Sequence, residues 1–362
     1  MGEWGSPLEN LVTKSFWRGK RVGITGHTGF KGSWLSCWLL DLQANVFGFA
    51  LPPEWDPSLF NQLCLNRDID HTVADVRDAK LLGQWLERVQ PDILFHLAAQ
   101  PLVRRSYREP LLTWQTNVLG TVILLEALSN LKHACTVVIV TTDKVYENRE
   151  RFSGYRESDQ LGGHDPYSSS KAAVELASSS WRSSFYGEGS LIRLATARAG
   201  NVIGGGDWAE DRILPDLVRS VSMDHPVQVR NPNAIRPWQH VLEPLFGYLL
   251  LAEQLYTNGG RDLQSAFNFG PEIVDYRTVQ ELVETALQYW PGSWQDASNA
   301  NAPHEARILS LNIEKARDIL SWLPRWHFDQ SVQQTMEWYR SIYEGQSARK
   351  VTQQQIQLYS NT

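Results

Sequence analysis

Val22-Gly23-Ile24-Thr25, running straight into Gly26-His27-Thr28-Gly29-Phe30-Lys31-Gly32, is the stretch that decides the fold. The first four residues read as a short buried strand, the glycines as a turn, and the apolar-rich run from about Phe30 to Leu42 as a helix. Between a strand and a helix, glycines let backbone amides come close to a pyrophosphate, which the positive end of the helix dipole then favours. Every residue of the turn, Gly26, His27, Thr28, Gly29, Phe30, Lys31 and Gly32, is therefore assigned to a dinucleotide cofactor.

Outward from this unit the same alternation repeats. Strands are expected at Val46 to Ala50, Ile93 to Leu97, Thr136 to Thr141 and Ser190 to Ala197, with helices at Ala79 to Val89, Pro110 to Leu131 and from Pro166 to about Tyr186. Asp165 suits the N-cap of that last helix and Pro166 its first position. Near-continuous apolar strands between amphipathic helices mean a parallel sheet covered on both faces. The reading is an α/β protein with a doubly wound, parallel, Rossmann-type sheet over residues 1–199, helped by a later contribution from about 238–270. A smaller mixed substrate-binding region follows over 200–345. The tail, 346–362, is polar and Gln-rich and is expected to be flexible, as are Met1 to Ser6.

The 362 residues carry a formal net charge of -6, which argues against a nucleic-acid partner because phosphate backbones demand a basic face. No leader-like segment and no run of roughly 18 apolar residues is evident, so no membrane association is expected. Cys37, Cys64 and Cys135 lack paired spacing and fit a reducing, cytoplasmic setting. The nine histidines show no metal-ligand spacing, so no metal is expected.

Two further patterns carry chemistry. Tyr167 and Lys171 are four apart at the start of a helix and share one face, where an ammonium favours the phenolate and fits the tyrosine as a general base. Leu97, Ala98 and Ala99 end a strand at the carboxyl edge of the sheet, where ligands of such folds lie. A carboxylate for the cofactor ribose, expected about 20 residues after the glycines, is missing: the second strand ends Gly48-Phe49-Ala50-Leu51, and the next acid is Glu54.

Together these features resemble the extended short-chain dehydrogenase/reductases, in the branch that acts on nucleotide sugars. The GxxGxxG spacing is the form found there, and Thr116-Asn117-Val118-Leu119-Gly120-Thr121 with Leu124-Leu125-Glu126-Ala127 is similar to that branch's central helix. The resemblance spans roughly Gly19 to Tyr343. It implies bound NAD, with Asp75 and Val76 at the adenine and Asn117 and Thr141 also beside the cofactor. It also implies that Thr142 bonds the sugar hydroxyl, Tyr167 acts as base and Lys171 holds the nicotinamide ribose. Pairing through helices of the nucleotide domain, as a homodimer or homotetramer, is implied as well.

More narrowly, four stretches resemble the 4,6-dehydratases that act on CDP-glucose: Gly26 to Gly32, Gln100-Pro101-Leu102-Val103-Arg104, Thr142-Asp143-Lys144-Val145-Tyr146-Glu147-Asn148, and Arg230-Asn231-Pro232-Asn233-Ala234-Ile235-Arg236-Pro237-Trp238-Gln239-His240-Val241. The implied reaction is oxidation at C4, loss of water across C5 and C6, and hydride return to C6. Asp143 is the expected C6 acid. Lys144 stands where many relatives carry a glutamate, and it is either a neutral C5 base or a group that orients the ketone or sugar. Gln100, Arg104, Asn201, Asp207, Trp208, Arg212, Arg230, Arg236 and His240 are assigned to the nucleotide sugar, arginine forks suiting its diphosphate. A dehydratase or 4-epimerase acting on another nucleotide sugar is the alternative, and Asp143-Lys144 after Thr142 disfavours the epimerase. A sensor of NAD(P) is remote, since the tyrosine and lysine are intact.

Overall fold

The computed structural model describes residues 12–151, 153–298 and 309–362. Met1 to Ser6 lie outside them. Seven parallel strands form the central sheet: β1 (Arg21–Thr25), β2 (Asn45–Ala50), β3 (Asp70–Val73), β4 (Ile93–His96), β5 (Cys135–Val140), β6 (Ile192–Ala199) and β7 (Ala266–Phe269). Their spatial order is β7-β6-β5-β4-β1-β2-β3. Every residue of β4 and β5 is buried, as a strand covered on both faces requires. β6 starts two residues later than expected because Ser190 closes a turn, its hydroxyl accepting from the Ile192 amide at 3.1 Å.

Among the described residues, nine helices of nine residues or more frame the sheet and the cleft: α1 (Phe30–Asp41), α2 (Ala79–Val89), α3 (Pro110–Ser129), α4 (Pro166–Ser184), α5 (Ile213–Val221), α6 (Leu242–Asn258), α7 (Val279–Tyr289), α8 (Phe328–Tyr343) and α9 (Ala348–Ser360). One core packs α1 and α6 on the sheet through residues such as Trp34, Trp38, Leu245 and Leu249. The other packs α2, α3 and α4 on the opposite face through Leu82, Trp85, Leu124, Leu128 and Val174. By length and composition α3 is the one helix among the described residues that could cross a membrane. It contains a single wider turn at Gln115–Leu119 and buries Leu124, Leu125 and Leu128 in the core.

Strand order turns around at β1, which pairs with β2 on one side and β4 on the other. Connections leave β1 and β4 toward opposite faces, and this opens a crevice at the carboxyl ends of the strands. Three short strand pairs stand beside it: Val202–Ile203 with Gln239–His240, Ile235–Arg236 with Arg277–Thr278, and Val227–Val229 with Trp294–Asp296.

The tail departs from the sequence reading. Residues 348–360 form α9, whose N-cap Ser347 accepts from the Lys350 amide and whose Val351, Ile356 and Tyr359 are buried. The Tyr359 ring meets Trp38 of α1 at 5.7 Å and Trp326 at 5.1 Å. An apolar residue recurs every turn or so within a polar composition, and that stripe is what docks the helix.

Candidate active site

The crevice is a cleft of about 2070 Å³, lined from the glycine turn at one end to the arginines around α5 at the other. At the glycine turn, Gly26 has φ +76°, and a Cβ there would lie 2.6 Å from the Ala98 amide nitrogen. A Cβ at Gly32 would lie 2.2 Å from the Gly26 carbonyl oxygen. The turn is thus compressed until only glycine fits. Gly29, which brings no side chain, is the N-cap of α1, and Gly29, Phe30 and Lys31 line the cleft. This cradle fits the pyrophosphate of a dinucleotide. Thr28 ties it to the loop after β2, its hydroxyl donating to the Leu51 carbonyl at 2.9 Å.

The outer end is lined by Leu51, Glu54, Asp75, Val76 and Arg77. Asp75 holds Arg77 at 2.6 Å, and that bond pulls its carboxyl below the usual range. Leu97, Ala98 and Ala99 line the cleft midway. Glu54, the first acid after β2, pairs with Arg105 across the cleft wall.

At the centre, β5 delivers Thr141 and Thr142 to the cleft, and a single short turn, Asp143–Val145, follows. The Thr142 hydroxyl donates to Asp143 Oδ1 at 2.9 Å, and Lys144 Nζ lies 3.6 Å from the same oxygen. The Asp143 side chain is 1% exposed and that of Lys144 33%. Among the described residues Asp143 Oδ2 has no hydrogen-bond partner; it faces Gly200, where a Cβ would sit 2.9 Å from it. Helix α4, capped by the Asp165 carboxylate on the Ser168 amide, brings Tyr167 and Lys171 to the same wall.

Burial decides the titration here. It pushes the Tyr167 phenol up to about 12 against a hydrogen bond shared with Thr142, and the Lys171 ammonium down to about 8 against the field of Glu175. Desolvation outweighs the groups that lower the phenol, and the cation among those groups is Arg212 rather than the expected Lys171. Lys171 Nζ donates to the Val140 carbonyl at 3.1 Å. Lys31 is pushed down to about 7 by burial, with Arg212, Lys171 and Lys144 adding to the effect and Asp143 opposing it.

The cleft also gathers Gln100, Arg104, Asn201, Asp207, Trp208, Arg212, Arg230 and Arg236. Arg212 faces Asp207 at 3.5 Å, while Arg230 and Arg104 converge on Asp211. The Trp208 indole donates to Gln62 at 3.1 Å. The Gln100 side chain is engaged internally, donating to Thr113 Oγ1 at 2.9 Å and accepting from the Leu102 amide at 2.6 Å.

Four assigned side chains are not part of the cleft lining: Asp143, buried against Gly200, and three others. His240 is fully buried between Trp34 and Trp326, at 5.8 and 4.9 Å between ring centroids, and burial pushes it down to about 3. It is a neutral core group, because the strand pair 202–203 with 239–240 turns it inward. His27 points beneath the glycine turn, its Nε2 2.7 Å from His71 Nδ1. Asn117 sits behind the wall, bonding both Gln100 backbone groups and Ser170 Oγ.

Sequence reasoning missed Gly200 and the buried pair Glu175 and Arg198. Glu175 had a signal, since it falls one turn after Lys171 on the same face. No cluster of three side chains able to hold a metal occurs among the described residues.

A doubly wound sheet with this glycine turn and a tyrosine-lysine pair at the strand ends defines an extended short-chain dehydrogenase/reductase. The chain belongs to the family whose model is described as GDP-mannose 4,6 dehydratase, which matches residues 24–335. It is 44% identical to CDP-glucose 4,6-dehydratase of Salmonella typhimurium over 96% of this chain and 98% of that one. It is 25% identical to dTDP-glucose 4,6-dehydratase 1 of Escherichia coli over 74% and 78% of the two chains. Among solved structures, an epimerase of Methanothermobacter thermautotrophicus superposes with TM-score 0.78 at 21% identity, covering 94% and 98%. A dTDP-glucose 4,6-dehydratase of Streptomyces venezuelae, solved with NAD, gives 0.76 at 23% identity, covering 88% and 97%.

Proposed function

We propose that this protein converts CDP-D-glucose to CDP-4-dehydro-6-deoxy-D-glucose and water, as an NAD-dependent hydro-lyase. One observation carries the reading: Thr142 and Lys144 line one cleft with Tyr167 and Lys171, the buried Asp143 carboxylate lying 3.6 Å from Lys144 Nζ, in a chain 44% identical over nearly its full length to a CDP-glucose 4,6-dehydratase.

Gly26, Gly29 and Gly32 with the start of α1 would hold the pyrophosphate of NAD, and Asp75 and Val76 its adenine end. Bound there, NAD supplies reversible hydride acceptance. Tyr167 takes the proton of the sugar 4-hydroxyl, which Thr142 positions, and Lys171 holds positive charge beside the phenolate. The resulting 4-ketone acidifies the hydrogen at C5. Asp143 then protonates the 6-hydroxyl so that it leaves as water.

Lys144 and Asp143 are an ion pair across 3.6 Å. One proton moving from the ammonium to the carboxylate turns them into a neutral amine and a neutral acid, the two states that removal at C5 and protonation at C6 require. Arg104, Arg212, Arg230 and Arg236 surround the diphosphate of the substrate.

The working form is a homodimer or homotetramer. Leu111, Trp114 and Leu119 are exposed at helical spacing on α3, as is Leu176 on α4, and such a face suits a second copy of the chain. A cytoplasmic setting accords with the three free cysteines. The reading is tested by incubating the purified protein with CDP-, UDP-, GDP- and dTDP-glucose. Water loss from the CDP-sugar, turned over fastest, is expected. An epimer without water loss, or preference for another nucleotide, would refute it.

A further inference from the structure

Glu175, one helical turn beyond Lys171 on α4, is a buried carboxylate held on every side. Its Oε2 accepts from Arg198 Nη2 at 2.9 Å and Thr196 Oγ1 at 2.8 Å, and its Oε1 from Thr141 Oγ1 at 2.5 Å. Arg198 Nη1 donates to the Tyr146 hydroxyl at 2.7 Å, which donates to Asn268 Oδ1 at 2.7 Å. The side chains of Arg198 and Glu175 are 4% and 1% exposed. So deep a pair stabilises a fold no better than apolar residues of equal volume would. What it does here is grip both ends of one segment, Glu175 holding Thr141 and Arg198 holding Tyr146, with Thr142, Asp143 and Lys144 between them.

We infer that Glu175, paired with Arg198, is a positioning residue that fixes the Thr141–Tyr146 run against α4 and keeps Lys171 charged beside Tyr167. The inference rests on the proposed function. A buried ammonium needs a counter-charge, and Glu175 is the carboxylate whose field raises Lys171. The other groups facing Lys171 do not replace it: His96 from β4 is neutral, pushed down to about 3 by burial, and Lys31 from α1 is a like charge. Tyr167 itself faces Thr142 and Asp143 beyond β5, Arg212 before α5, Asp165 at its own cap and Tyr248 on α6.

The sign follows. Without Glu175 the Lys171 proton leaves at lower pH, the field favouring the Tyr167 phenolate weakens, and the acid limb of kcat moves to higher pH. Glu175→Gln keeps the shape and removes the charge. Two readouts are taken beside wild type: kcat and KM for CDP-glucose across pH, and the pH dependence of acetic-anhydride labelling at Lys171, read by mass spectrometry without substrate or cofactor. The labelling midpoint is expected to fall by about one unit and the acid limb to rise by a similar amount, which is roughly a tenfold loss of kcat near neutral pH. KM should stay within about twofold, and Glu175→Asp should keep the wild-type limb.

Should Glu175→Gln not fold, Glu175→Gln with Arg198→Met leaves no charge unpaired and carries the same expectation. A uniform loss of kcat with both midpoints unmoved overturns the inference. If wild type fails on CDP-glucose while the labelling midpoint still shifts, the proposed function fails and this inference stands.

Discussion

At the residue scale the chemistry turns on which side chains can change protonation where they stand. Tyr167 is enclosed, with Thr142, Asp143, Asp165 and Arg212 as its polar company, so removing its hydroxyl would remove the proposed C4 base without disturbing the wall. Tyr167→Phe is expected to lower kcat by about 10²–10⁴ with KM changed little, as steady-state kinetics would show; activity within a few-fold of wild type would exclude the assignment. Gly200 offers a cleaner division of the two half-reactions. A methyl there would sit 2.9 Å from Asp143 Oδ2 and 3.1 Å from the Pro237 ring, so Asp143 must move. Gly200→Ala should spare C4 oxidation and slow water loss by about tenfold or more, if displacing the acid costs one unit of differential interaction. Reduced nicotinamide would then accumulate in rapid-mixing absorbance traces, and unchanged traces would count against Asp143 as the C6 acid. Tyr167 and Lys171 were legible because a four-residue spacing maps onto one helix face. Asp143 and Lys144 were legible through the resemblance alone. His240 was misplaced, since nothing in Gln239-His240-Val241 tells which way a two-residue strand turns its side chains. Gly200 could not be found, because its role is the space it leaves for a residue 57 positions away.

At the element scale, the alternation of apolar strands with amphipathic helices carried the sheet: β1, β2, β4, β5 and β6 stand close to where the pattern puts them, whereas β7 was not read from it. The tail shows where composition misleads: eight polar residues among thirteen hid the stripe of Val351, Ile356 and Tyr359. Its docking point was equally hidden, being a carboxylate on a helix a hundred residues earlier. Glu243 of α6 accepts from the Tyr359 hydroxyl at 2.7 Å and from the Arg325 and Trp326 amides at 3.0 and 2.7 Å. Burial nevertheless pushes it up to about 7. A carboxyl raised on folding contributes stability that is fully present below its unfolded value near 4.5 and is lost as pH rises through about 7. Thermal melts should therefore show stability falling between pH 5 and pH 8 by ~2–3 kcal/mol from this source. Glu243→Gln should flatten that slope. A slope equal to wild type in the variant would place its origin elsewhere.

At the scale of the whole molecule, a sheet whose order turns around at β1 makes one crevice, and the helices that cover it leave an apolar face outward. Leu111 and Leu176 are 70% and 62% exposed, on α3 and α4. Replacing both with glutamate is expected to yield a monomer by light scattering, with the melting temperature lowered; an unchanged mass would mean that subunits pair elsewhere. The nucleotide side of the cleft was the least legible part, because its arginines are scattered over residues 104–236 and come to one cleft only in the folded chain. The central claim is that one cleft oxidises C4 and then removes water across C5 and C6. It is tested most directly by mass spectrometry and NMR of the CDP-glucose reaction run in deuterated water. The account requires a product that has lost one water and gained solvent deuterium at C5. A product that keeps its 6-oxygen, or that lacks deuterium at C5, would contradict it.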